Sequence, residues 1–161
     1  MPDLTPLWIS IKVGFISTII VSILGIFICR TLYKRKGHAT QFLESLILLP
    51  IVLPPTVLGF ILIIVFSPRT FVGQFFQNVL HLPVVFTMTG AVIASVIVSF
   101  PLMYQHTIQG FRSINPKMLN TARTMGASER KIFYRLILPL SKRSIIAGIM
   151  MSFARAIGEF G

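Results

Sequence analysis

Arg155 and Glu159 stand four residues apart inside an apolar run from Ile145 to Gly161. At that spacing they share one face of a helix and can pair. Counted from Ser144 at 1.5 Å per residue, Arg155 lies about 16 Å along that helix, near the middle of an apolar layer about 30 Å thick. A charge there costs about 2.5–3.5 kcal/mol even on the lenient insertion scale, so both side chains are expected to face a bundle interior. Two readings stand: a helix lining an anion path, and a self-neutralising pair that only holds neighbouring helices. Enzyme chemistry has little to build on. The four acidic residues are scattered, with no close sequence pair for acid–base work. Cys29, the single cysteine, has no evident His partner and reads as a packing residue. His81 lacks a neighbouring second ligand and reads as a loop or interface residue. No Gly-rich loop ends in Gly-Lys-Ser or Gly-Lys-Thr, so ATP hydrolysis by this chain is not expected. No metal, catalytic group or cofactor is assigned to it.

The charge-rich stretch from Asn115 to Pro139 predicts two short helices joined at Gly126. Asn115 can cap the first, and Pro116 fits its first turn, where no N–H is needed. Gly126 suits the left-handed position just past that helix. Ser128 can cap the second helix, which is expected to stop near Pro139. Leu119, Ala122, Met125 and Gly126 are predicted on one face, with Arg123 and Thr124 turned away. The expectation is a knob-like docking element on a membrane protein.

Composition supports the membrane. The 161 residues are 54% hydrophobic and only 12% charged, whereas soluble domains carry about 25% charged residues. A net charge of +11 invites a nucleic-acid reading, but the basic residues cluster at Arg30 to Lys36 and Arg112 to Arg143, flanking apolar runs. That is the positive-inside pattern of cytoplasmic loops, with attraction to anionic head groups. A DNA-binding helix-turn-helix at the knob is disfavoured by its tethering between spans and its Leu-Pro ending, and no nucleic-acid partner is expected. Spans are expected at about 13–29, 42–66, 84–104 and 144–161, with the N-terminus outside and the knob, 115–139, inside. The first span is read as retained, since its positive charge follows the apolar run. Glu44 reads as an interfacial carboxylate. Pro50, Pro54 and Pro55 should free the carbonyls of Leu46, Pro50 and Ile51, which at membrane depth need protein or a watery cavity. The broken span is either a substrate route or a structural kink. Phe71, Phe75 and Phe76 predict a short interfacial helix. Pro101 is expected to interrupt the third span, where Gly90, Ala91, Ala94 and Ser95 allow close helix approach. The fold class is an all-α polytopic transmembrane bundle, one domain over 1–161.

The knob resembles the EAA loop of binding-protein-dependent ABC importer permeases. That pattern is Glu-Ala-Ala, three residues, Gly, nine residues, then Ile-x-Leu-Pro. Ala122, Gly126, Leu138 and Pro139 match in register, Leu136 stands for the Ile, and Asn120 and Thr121 replace the Glu and first Ala. The strings Leu49 to Gly59 and Phe153 to Gly161 are similar to those of molybdate-type permeases of this MetI-like group. The resemblance implies that Asn120, Thr121, Ala122, Gly126, Leu136, Leu138 and Pro139 couple to a dimeric ABC ATPase that binds ATP and Mg. It implies a second permease copy, an extracytoplasmic oxyanion-binding protein and a bacterial cell membrane. Pro54, Pro55, Thr56, Ser95, Arg155 and Glu159 are the candidates for a translocation path. The expected function is import of a tetrahedral oxyanion, molybdate first; the alternatives are a sulfate or thiosulfate permease and a non-transporting membrane scaffold. Because the family's chain continues past the Gly161 position, a fragment of a longer product is expected.

Overall fold

The computed structural model describes residues 5–35, 37–78 and 84–159; Asp3, Lys36, His81 and Gly161 lie outside them. The described residues form α1 (Thr5–Leu32), α2 (His38–Val52), α3 (Pro55–Val65), α4 (Phe71–Asn78), α5 (Met88–Arg112), α6 (Pro116–Thr124), α7 (Glu129–Leu140) and α8 (Lys142–Gly158), with no strand among them. The all-helical class therefore stands.

The core is a three-helix pack of α1, α5 and α8. Side-chain bonds give their directions. Ser17 Oγ donates to the Val92 carbonyl at 3.3 Å and Cys29 Sγ to the Tyr104 carbonyl at 3.6 Å, so α1 and α5 run parallel. Ser141 Oγ donates to the Gly110 carbonyl at 2.9 Å and Ser152 Oγ to the Ser99 carbonyl at 3.2 Å, so α8 runs back. Two parallel helices require the chain between them to return the length of the bundle, and α2 with α3 occupies that connection.

Among the described residues, α1 and α5 are each long and apolar enough to cross a membrane alone. The pairs α2–α3 and α7–α8 reach that length only when joined, and they bend by 114° and 66°. The run 42–66 is thus built from two helices that meet at a 114° bend. The break falls at Leu53 and Pro54, while Pro50 stays inside α2. Pro55 opens α3, where its missing N–H leaves no partner unpaired. Pro101, expected to interrupt, is buried in an unbroken α5 that continues to Arg112 and takes in Gln105, His106 and Gln109. The helix starts at Met88, where Thr87 Oγ1 accepts from the Gly90 N–H. As expected, α7 stops near Pro139, at Leu140, and the chain bends at Ser141; a π turn at Phe133–Ile137 widens the ladder just before the ring. The short helix expected around Phe71 is α4.

The small residues that decide the α5–α8 approach lie lower than the predicted set. A Cβ on Gly110 would sit 2.6 Å from Ser144 Cβ, an atom fixed to the facing backbone. Gly110→Ala should therefore destabilise the protein by about 1–3 kcal/mol through overpacking, offset in part by alanine's helix propensity. Gly59→Ala, with nothing within 4 Å of its Cβ, should be neutral or stabilising. Thermal unfolding of the detergent-purified variants would show a lowered midpoint for the first alone.

Candidate functional site

The knob is built from caps that the local sequence supplies. Asn115 Oδ1 accepts from the Lys117 N–H at 2.9 Å, and Ser128 Oγ accepts from Lys131 N–H. Gly126 adopts φ +79, the left-handed region that a Cβ disfavours. Its N–H reaches the Arg123 carbonyl at 2.9 Å, and the Ala127 N–H reaches the Ala122 carbonyl at 3.0 Å. These two bonds are a Schellman closure, which turns the chain by satisfying the last carbonyls of α6.

The underside of the knob is apolar. Leu119, Ile132, Phe133 and Ile137 are buried against Phe111 and Ile108 of α5, with Ala122, Ala127, Leu136 and Leu138 packed beside them. Asn120, Thr121, Gly126 and Pro139 remain exposed. Met125, predicted on the inner face with Leu119, is instead 82% exposed. The helix ends at Thr124, and Met125 leaves the helical path as its cap, so the 3.6-residue period no longer applies. The residues that match the family's motif thus divide into a packed set and an exposed set. Asn120, at the family's Glu position, accepts a hydrogen bond from Arg123 Nη1 at 2.6 Å.

What holds the knob to the bundle was not legible in the motif. Glu129 bonds Arg123 Nε at 2.8 Å and also pairs with Lys34 beyond the end of α1. Arg30 donates to the Tyr134 hydroxyl at 3.2 Å and stacks 4.7 Å above the Phe133 ring, a contact worth about 0.5–1 kcal/mol when exposed. Glu44, read as an interfacial carboxylate, takes Arg112 in a fork of 2.5 and 3.3 Å. The basic window at Arg30 to Lys36 signalled orientation; its role as a clasp had no sequence mark beyond the charges themselves.

The hydrogen bonds from Arg123 and then Lys34 hold the Glu129 carboxyl down to about 2, from an ordinary 4.5. A depressed carboxylate contributes stability that is fully present above its unfolded value and is lost as pH falls through the folded one. The clasp should therefore persist below pH 4.5 and open only towards about pH 2. Carboxyl NMR of labelled protein should place the Glu129 midpoint there, and Arg123→Gln should move it back towards 4.5.

The translocation candidates are not gathered into one site. Pro54, Pro55 and Thr56 lie exposed at the α2–α3 break, whereas Ser95 is fully buried in α5. Arg155 Nη1 donates to Glu159 Oε2 at 2.6 Å, with the side chains 33% and 20% exposed. The pair lies along a single helix, so its bond ties no second helix.

The family described as "Binding-protein-dependent transport system inner membrane component" matches residues 21–161. The chain is 42% identical over 157 residues to the putative molybdenum transport system permease protein YvgM of Bacillus subtilis (strain 168), covering 98% of this chain and 69% of that protein. It is 32% identical over 160 residues to the molybdenum transport system permease protein ModB of Escherichia coli (strain K12), covering 99% and 70%. It is 29% identical over 153 residues to the probable sulfate transport system permease protein cysT of Chlorella vulgaris, covering 95% and 57%.

Proposed function

The chain belongs to the family of binding-protein-dependent transport system inner membrane components, and from that premise we propose that it is the membrane-spanning permease subunit of an ABC importer for a tetrahedral oxyanion, molybdate first. The single observation that carries the substrate class is the 42% identity to a putative molybdenum permease along 98% of this chain. The knob geometry supports the coupling half of the reading. Its underside is packed into the bundle while its tip is open, which is what a lever gripped by another subunit requires.

In this reading separate ATPase subunits bind ATP and Mg and hydrolyse the nucleotide. Their closure pushes the knob formed by α6 and α7. The packed underside passes that movement to α5, and the 66° bend at Ser141 passes it to α8, so the helices rock between two access states. An extracytoplasmic binding protein delivers the anion, and a second permease copy completes the path. The knob end, rich in Lys and Arg, faces the cytoplasm of a bacterial cell.

The test is uptake. In a strain lacking its own molybdate importer, this permease with its ATPase and binding protein should restore accumulation of labelled molybdate. Restoration of sulfate uptake alone would favour the sulfate reading, which the 29% identity to a sulfate permease motivates. Restoration of neither, with the complex assembled in the membrane, would leave the scaffold reading.

A further inference from the structure

A cavity of about 880 Å³ opens between the segment after α1, the start of α2, the end of α5 and the start of α6. The transport reading does not use it. Its wall carries Lys34, Arg35, Arg112 and Arg123 against one carboxylate, Glu44. Arg112 is forked onto Glu44, and Lys34 and Arg123 are drawn to Glu129. Arg35 makes no ion pair among the described residues.

Two further features point the same way. The 15-residue helix α2 begins into the cavity at Gly37, with no side chain capping it. Its first intrahelical bond is Gln41 N–H to the Gly37 carbonyl at 3.1 Å, so the N–H groups of His38, Ala39 and Thr40 precede the ladder. Independently, the Thr40 side chain lines the cavity, is only 8% exposed, and its hydroxyl has no hydrogen-bond partner among the described residues. A helix start with free amides, an unpartnered hydroxyl on a mostly buried side chain and a cation in excess of its counter-charges form a receptor for a multivalent anion.

We infer that this cavity binds a phosphate-class tetrahedral oxyanion, held by Arg35, the Thr40 hydroxyl and the first amides of α2. The level of the cavity, at the charged end of the bundle, favours the head group of an anionic phospholipid as its source. A free oxyanion offers the same oxygen geometry. The inference does not rest on transport: a chain that bound the head group and moved nothing would still satisfy it.

The full chain in phosphatidylcholine nanodiscs, with and without phosphatidylglycerol, provides the test. Native mass spectrometry should find phosphatidylglycerol retained on the wild type, with retention lowered about tenfold in Arg35→Gln/Thr40→Val. Arg69→Gln, in the distant loop between α3 and α4, should retain it as wild type does. In phosphatidylcholine alone, inorganic phosphate and then molybdate are titrated against the thermal midpoint. A rise in wild type but not in the double variant assigns a free oxyanion as the ligand; no rise, with lipid retention lost in the variant, assigns the head group. Equal behaviour of wild type and variant in both arms overturns the site. Should the double variant fold poorly, Arg35→Gln alone, at an exposed position, decides the same comparison.

Discussion

Gly126→Trp is expected to abolish co-purification of the ATPase while leaving the permease in the membrane. Two costs combine at this residue. Its φ of +79 is a conformation that a residue with a Cβ enters at about 1–2 kcal/mol, and the two Schellman bonds depend on it. Nothing lies within 4 Å of a Cβ built there, so the indole would meet no atom of the permease itself. It would stand on the open tip, in the groove of any partner. Obstructing the centre of an interface costs about 2 kcal/mol or more, roughly a 30-fold loss of affinity. Gly126→Asn separates the two effects, because asparagine tolerates the left-handed region. It should keep most ATPase binding and most uptake. Normal ATPase binding by the tryptophan variant would remove the docking assignment.

Glu159→Leu should lower the membrane yield and thermal stability of the protein far more than loss of both charges does. Arg155 would be left without its only hydrogen-bonded partner among the described residues, and an unpaired arginine at the centre of a span costs about 2.5–3.5 kcal/mol, around a hundredfold. The double variant Arg155→Met/Glu159→Leu removes both charges and should recover near-native stability, since apolar replacement of a buried pair is often neutral. Uptake by the recovered variant then separates the two sequence readings of this helix. Transport at the wild-type rate means the pair only neutralises itself; a folded, assembled variant without uptake puts the pair on the anion path.

The helical class, the membrane composition and the knob's turn chemistry were all legible in the chain. Asn115, Pro116, Gly126 and Ser128 act on backbone groups within a few residues of themselves, so one-dimensional spacing carries their geometry. Apolar run length likewise reports on the bilayer, whatever the neighbours are. The prolines were the first place this failed. Pro101 is the clear case: it stands buried inside an unbroken α5, where packing against neighbouring helices offsets what propensity alone disfavours. The sharpest redirection, 114°, falls at Leu53 and Pro54, and a second, 66°, follows Pro139.

The rest belongs to tertiary structure. Lys34 and Glu129 are separated by 95 positions, Glu44 and Arg112 by 68, and Gly110 meets Ser144 across two facing helices. No period or motif encodes which distant charge a charge will face; the angle and register of packed helices decide it. By itself the sequence determined that a two-helix knob turning at a glycine hangs from a membrane bundle, because those bonds close locally. How that knob is clasped, and which of its faces is left open, was decided only when α1, α5 and α8 came together and buried its apolar side.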